Sequence, residues 1–189
     1  FLAAWRYEDR GDVAEADDMF NKAIEAHPAD AGVHAARGDF LMDAGLEGAK
    51  ECFEHALGMR PDHAVALRGM STYLFRNEGD LDTAERMVRE ALEQQPNNPT
   101  TLLRCAELFV ERGNMEEAET CFHAATEAQL NHVEALLGYG RYLYEVRRDH
   151  ALAEEKLNTA LSLAPSDVRV LAQVSRFRQL IAHDTEGAA

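Results

Sequence analysis

Hydrophobic residues recur along this chain at the spacing of one-sided helices, and one short pattern returns five times. Its marker is a pair of alanines seven residues apart, which lie on one helix face two turns from each other. The first alanines follow one another at steps of 33, 35, 34 and 35 residues, and the pairs are Ala16/Ala23, Ala49/Ala56, Ala84/Ala91, Ala118/Ala125 and Ala153/Ala160. A larger apolar residue stands four places after each first alanine, at Phe20, Phe53, Val88, Phe122 and Leu157. The pattern predicts five helices that each bury one face.

Glycine and proline punctuate the chain at the same period. A turn glycine lies upstream of the first four pairs, at Gly11, Gly45, Gly79 and Gly113, whereas the fifth unit has Arg148 and Asp149 there. Five residues after the second alanine comes a proline in four units, at Pro28, Pro61, Pro96 and Pro165, with Leu130 in the remaining one. Because proline cannot continue a helix, these positions predict where each unit ends.

A second helix precedes each alanine pair. Residues 66–75 and 135–144 align without a gap and share Ala, Leu, Gly, Tyr and Leu at matching places. In the fourth unit the i, i+3, i+4, i+7 stripe of a helix buried on one side is formed by Leu102, Cys105, Ala106 and Phe109. Each unit therefore holds two helices, which we call the A helix and the B helix.

These units resemble the tetratricopeptide repeat, a helix-turn-helix of about 34 residues, over nearly the whole chain. The resemblance implies an all-α fold, a right-handed α-α superhelix (solenoid) of about five helical hairpins in a single domain over residues 1–182. The expected repeats cover residues 1–29, 30–62, 63–97, 98–131 and 132–166. The family's large aromatic residue early in the A helix is replaced by leucine at Leu67, Leu102 and Leu136.

Both ends of the chain carry expectations of their own. The first unit begins partway through its A helix, at Trp5 and Tyr7, so further repeats or a catalytic domain could precede Phe1. A final helix over residues 167–182, capped by Asp167, is expected to seal the last apolar surface, as solenoids require. Its outward side would carry Arg169, Arg176 and Arg178, and residues 183–189 read as a polar tail.

Composition narrows the function. The formal charge of −15 over 189 residues argues against a nucleic-acid partner, because phosphate binding needs positive surface. No apolar run approaches the roughly 18 residues that cross a bilayer, so direct membrane insertion is not expected. Three scattered cysteines, Cys52, Cys105 and Cys121, are typical of an intracellular, reducing compartment. The cytoplasm is the default, and an organelle stays possible.

No motif for chemistry is present. The eight histidines include no His-Glu-x-x-His string, and the cysteines form no Cys-x-x-Cys pair. Phosphate-binding and nucleophile-elbow motifs are missing too, and nothing in the sequence indicates a buried, converging pair of carboxylates. We therefore expect no enzyme activity, no metal and no cofactor.

In such solenoids the A helices line a concave groove. Placing each A helix by its leucine predicts fourteen groove residues: Asp39, Met42, Asp43, Arg68, Thr72, Phe75, Arg76, Glu107, Val110, Glu111, Arg141, Tyr144, Arg169 and Arg176. An apolar track recurs once per unit, at Met42, Phe75, Val110 and Tyr144, and charge alternates in sign between units. The track could instead be contact between neighbouring A helices, and the charges could instead be ion pairs between adjacent repeats, so both interpretations stay open.

The expected function is a non-catalytic scaffold that holds a peptide or protein partner in this groove. The alternatives are a structural subunit that contacts its neighbours through the convex face or the terminal helix, and the repeat domain of a larger enzyme. Some family members bind acidic chaperone tails through Lys, Asn and Arg on successive A helices. Here Asp39 and Glu107 carry negative charge at matching places, which argues against a chaperone tail as the partner.

Overall fold

In a computed structural model of the chain, all regular structure among the described residues is helical. The structure describes the backbone of residues 13–186 and the side chains of residues 13–181. Two compact units divide the chain after Pro96. The expected first A helix, before Gly11, and residues 187–189 of the expected tail lie outside the described residues.

The described part of the first unit, from Val13 to Pro96, contains five helices. They are α1 (Val13–Ala26), α2 (Ala31–Asp43), α3 (Ala49–Met59), α4 (Ala64–Tyr73) and α5 (Leu81–Gln94). Helix α1 is the B helix of the first repeat, and α2/α3 and α4/α5 are the second and third hairpins. A π-helical turn, Leu74–Glu78, extends α4.

The second unit contains the fourth and fifth hairpins and the terminal helix. They are α6 (Pro99–Glu111), α7 (Met115–Ala128), α8 (Val133–Tyr142), α9 (His150–Leu163) and α10 (Val168–Glu186). A π-helical turn, Leu143–Arg147, extends α8 in the same way as α4 is extended. Helix α10 runs four residues beyond the expected end at 182, because no proline or glycine interrupts it before Gly187.

The alanine pairs form the core of the B helices, as the sequence predicts. Both alanines are buried in the second to fifth repeats, and in the first repeat Ala16 is buried and Ala23 half-buried. The apolar residues between them are also buried, at Phe20, Phe53, Val88, Phe122 and Leu157. Small side chains at these positions let the two helices of a hairpin approach closely.

Small residues of the A helix complete this close approach. The Oγ of Ser71 on α4 donates a 2.7 Å hydrogen bond to the backbone oxygen of Ala84 on α5. On α8, a Cβ added to Gly140 would lie only 2.9 Å from Leu157 of α9. A Cβ at Gly69 would overlap the Phe53 ring, and a Cβ at Gly138 would overlap Leu103. The packing of consecutive hairpins within each unit therefore also requires glycine at these positions.

The A helices start on one structurally equivalent residue, spaced at the repeat period. These residues are Asp30, His63, Asn98, His132 and Asp167, at steps of 33, 35, 34 and 35. Asp30 and Asn98 are ordinary N-caps whose side-chain oxygens accept a hydrogen bond from a backbone N–H. In the third and fifth repeats an imidazole does this work: Nδ1 of His63 accepts from Ala66 N at 3.3 Å, and Nδ1 of His132 accepts from Ala135 N at 3.1 Å.

The A helices also end in two alternating ways. Helices α2 and α6 stop at a turn closed by Gly45 and Gly113, both with positive φ. The π-helical turns after α4 and α8 are closed by Gly79 at φ 69° and by Arg148 at φ 60°. Arg148 is thus a side-chain-bearing residue in a conformation that favours glycine.

Arg148→Gly should stabilise the chain. The left-handed conformation costs an L-residue about 1–2 kcal/mol. Glycine avoids this cost, but it loses more conformational entropy on folding, which offsets about 0.5–1 kcal/mol of the gain. We expect a net gain of about 0.5–1 kcal/mol in the free energy of unfolding, measured with urea. The reverse change at the equivalent position, Gly79→Arg, should destabilise. An unchanged or lower stability of Arg148→Gly would show that this backbone is unstrained.

The histidine caps predict a loss of stability in acid. Burial lowers the pKa of both imidazoles. At His63, Arg60 lowers the pKa further, whereas Asp30 and Asp62 raise it. At His132, Glu134 raises the pKa and Arg104 lowers it, but burial is the largest effect. A protonated ring cannot accept at Nδ1, and its charge opposes the positive end of the helix dipole.

The contribution of the two histidine caps to the free energy of unfolding is therefore complete above about pH 6.5, which is the pKa of histidine in the unfolded chain. This contribution falls as the pH drops below that value. Between about pH 7.5 and about pH 5, wild type should lose more unfolding free energy than the variant His63→Asn with His132→Asn. A lost cap costs about 1 kcal/mol, and asparagine accepts at both pH values. Equal losses in the two proteins would contradict this role for the histidines.

Candidate partner-binding face

The predicted groove residues fall into two sets, one in each unit, and we call each set an A face. The first A face lies on α2, α4 and the turn after α4, and comprises Asp39, Met42, Asp43, Arg68, Thr72, Phe75 and Arg76. The second lies on α6, α8, the turn after α8 and α10, and comprises Glu107, Val110, Glu111, Arg141, Tyr144, Arg169 and Arg176. Each A face is described separately.

An ion pair links the two A helices of the first face. A terminal nitrogen of Arg68 on α4 donates to Oδ2 of Asp39 on α2, with 13% of the arginine and 33% of the aspartate side chain exposed. Next to this pair, Thr72 is buried and its hydroxyl donates to the Arg68 carbonyl at 2.9 Å. Thr72 therefore contacts its own helix and is not available to a partner, contrary to its expected place in the groove.

Apolar and charged side chains remain accessible on the first face. Met42 and Phe75, at equivalent places on successive A helices, are half-buried, while Asp43 and Arg76 follow them directly in sequence and are exposed. The face thus offers two partly accessible apolar side chains beside charges of both signs.

A four-residue ion network links α6 to α8 in the second face. Glu107 accepts 2.8 Å and 2.9 Å hydrogen bonds from Arg104 and Arg141, and Arg104 also donates to Glu134 at 2.5 Å. Burial alone would lower the pKa of Arg104, but Glu107 and Glu134 outweigh burial and raise it above its ordinary value. Each Glu107 oxygen therefore accepts a hydrogen bond from a guanidinium group.

Tyr144 is not part of an open apolar track. Only 1% of it is exposed, because α10 covers it: its hydroxyl donates to Oε1 of Gln173 at 3.1 Å, and its ring centre lies 5.6 Å from that of Phe177. Burial raises the pKa of this hydroxyl. The expected fourth member of the track is thus a contact with the terminal helix, while Val110 in the same unit is half-buried.

Several of the alternating charges form ion pairs between successive A helices. Besides Asp39–Arg68 and Glu107–Arg141, Glu145 after α8 pairs with Arg176 of α10 at 3.2 Å. Arg169 instead pairs with Asp167, the residue before its own helix, at 3.0 Å. For Asp39, Arg68, Glu107, Arg141 and Arg176, the contacts agree with the interpretation of these charges as links between repeats.

Sequence reasoning missed the two residues that complete the network in the second unit. Arg104 lies in the middle of α6 and Glu134 in the first turn of α8, at positions that were not assigned to the groove. Their signal was present, since Arg104 stands three residues before Glu107 and such pairs share a helix face.

No metal-binding cluster occurs within the described residues. Among them, no three His, Cys, Asp or Glu side chains converge as ligands, and no helix is both long and apolar enough to cross a membrane. Cys52 and Cys105 are buried and Cys121 half-buried, all as thiols, and burial raises the pKa of Cys52.

Antiparallel helical hairpins that recur at a period of 33 to 35 residues, with small residues between the two helices, define a helical-repeat protein. Two tetratricopeptide repeat models match the sequence, one over residues 75–141 and one over residues 1–30. The chain belongs to the tetratricopeptide repeat family, whose members are generally interaction modules without catalytic activity. No curated protein matches it in sequence.

Solved structures share the fold at low identity. TTC0263, a TPR protein of Thermus thermophilus, is 19% identical, with a TM-score of 0.78 and 96% of each chain covered. PilW, a type IV pilus biogenesis factor, is 17% identical, with a TM-score of 0.72 over 96% of this chain and 83% of its own. The APC/C hetero-tetramer Cut9-Hcn1 is 16% identical, with a TM-score of 0.70 over 92% of this chain and 35% of that one. These likenesses confirm the all-α solenoid fold class.

Removing the central carboxylate of the network should destabilise the second unit. In Glu107→Gln, Arg141 and the largely buried Arg104 lose a charged acceptor, which should cost about 1–3 kcal/mol of unfolding free energy in urea titration. The control is Glu111→Gln, an exposed glutamate at the end of the same helix, with an expected change within about 0.5 kcal/mol. Equal effects of the two substitutions would mean that the network contributes nothing to stability.

Proposed function

We propose that this chain is a non-catalytic scaffold that binds a peptide or protein partner on its A faces. The observation that carries the proposal is the first A face, where Met42 and Phe75 are partly accessible on successive A helices beside exposed Asp43 and Arg76. Apolar side chains supply binding energy, and flanking charges select a partner of complementary pattern.

The ion pairs support a binding role because they fix the faces before a partner arrives. Asp39–Arg68 and the Glu107 network hold consecutive A helices in register, so fewer side chains have to be ordered on association. Binding surfaces that are rigid in advance lose less conformational entropy on complex formation.

The same contacts support a role without catalysis and a partner other than an acidic chaperone tail. Asp39 and Glu107 are each held by arginine, so neither is placed for acid-base work. A carboxylate-rich tail on either face would compete with these acids for Arg68 or Arg141. Among structures with this fold, Cut9-Hcn1 is a hetero-tetramer, which also favours a protein partner.

The sparse, odd number of cysteines supports the expected reducing, intracellular compartment, because secreted domains stapled by disulfides carry many paired cysteines.

The proposal is tested by selecting peptides on the immobilised chain from a displayed library and measuring their affinity by fluorescence anisotropy. Phe75→Ala with Arg76→Glu should weaken a selected peptide at least about tenfold, because an apolar contact and a charge of matched sign are lost together. The control is a matched pair on the B helix α5, Met87→Ala with Arg86→Glu, which should leave the affinity unchanged. Selected peptides that bind both variants like wild type would contradict binding on the first A face.

A further inference from the structure

The terminal helix α10 has positions equivalent to those that an A helix packs against the B helix of the same repeat. That side carries the residues four, eight and eleven places after the N-cap. These are Leu67, Ser71 and Leu74 in the third repeat, Leu102, Ala106 and Phe109 in the fourth, and Leu136, Gly140 and Leu143 in the fifth. In the terminal helix they are Leu171, Ser175 and Arg178.

These positions differ sharply in exposure. All nine are buried in the hairpins of the third, fourth and fifth repeats, with the leucines at the first position between 3% and 7% exposed. On α10, Leu171 is 44% exposed, and Ser175 and Arg178 are exposed as well. The adjoining side of α10 is filled, because Val170, Val174 and Phe177 are buried against the preceding hairpin.

The complete hairpins show what covers this side of an A helix. In the third repeat, Ser71 bonds to the backbone of Ala84, the first alanine of the B helix. In the fifth, the equivalent Gly140 lies against Leu157, the apolar residue between the two alanines. The complement of this surface is therefore a helix with small residues seven apart and an apolar residue between them.

Charge specifies that complement further. Arg178 stands where the complete hairpins have Leu74, Phe109 and Leu143, so the end of this surface is cationic. Residues 168–181 of α10 contain three arginines and no carboxylate, in a chain whose formal charge is −15. The B helices are acidic by contrast: Met115–Ala128 alone has four glutamates.

We propose that Leu171, Ser175 and Arg178 form a docking site for an acidic amphipathic helix of a protein partner, which packs on α10 as a B helix packs on its A helix. An apolar residue of the partner covers Leu171, a small residue meets Ser175, and a carboxylate pairs with Arg178. A second copy of α10 fits poorly, because antiparallel packing about Ser175 places each Arg178 against the partner's Leu171, and residues 168–181 contain no carboxylate to pair with it. This docking site shares no residue with the A faces, so each proposal can fail without the other.

The test uses the chain and a fluorescently labelled peptide with the sequence of Met115–Ala128. A staple between positions 120 and 124 holds the peptide helical and lies on the side away from the pair Ala118/Ala125. Anisotropy should show saturable binding. Leu171→Asp and Arg178→Glu should each weaken it at least about tenfold. The matched control is Leu130→Asp, a leucine 74% exposed in the turn before α8, which should bind like wild type.

Charge exchange makes the test specific. A peptide with its four glutamates replaced by lysine should bind wild type more weakly than the acidic peptide and should recover affinity for Arg178→Glu. The proposal is overturned if the acidic peptide does not bind, if the α10 variants bind it like wild type, or if both peptides bind alike. Sedimentation that reveals a dimer of the chain, dissolved by Leu171→Asp, would equally overturn it, because a second copy would then be the occupant.

Discussion

The close approach of two helices across alanine and glycine is the constraint on which the rest of this structure depends. Ser71 bonds directly to the backbone at Ala84, and Gly140 leaves room for Leu157, so neither hairpin accepts a larger residue there without moving apart. Because each hairpin buries its core residues within itself and against its neighbours, the residues on its outward positions are not needed for the core. Those positions carry the ion pairs and the accessible side chains that distinguish one repeat from the next.

Electrostatics in this protein serves the register between repeats. The Glu107 network and the Asp39–Arg68 pair span successive A helices, where a hydrophobic contact would tolerate sliding but a hydrogen-bonded guanidinium does not. The surface left for recognition is consequently smaller than the charge pattern suggests. In the two proposals, recognition uses half-buried side chains such as Phe75 and the exposed side of the terminal helix.

The repeat period, the helix pairs and the buried alanines could be predicted from sequence because they follow from spacing within one helix. The environment of Tyr144 could not, since its equivalents Met42, Phe75 and Val110 stay half-buried and only contact with α10 removes it from the surface. Arg104 was missed although Glu107 lies three residues further along the same helix, and only its pairing with Glu134 depends on how neighbouring A helices face each other. Both histidine caps were overlooked because imidazole is an uncommon N-cap, although His63 and His132 stand at the repeat spacing.

The histidine caps and π-helical turns occur together in the third and fifth repeats, and the second and fourth repeats have neither. His63 and His132 are 69 residues apart, so the chain has a longer period of two hairpins superimposed on the single one. A module transplanted into another array would consequently need to be a double repeat. Excising a lone hairpin would join two ends of unlike geometry, whereas removing a pair restores the original junction.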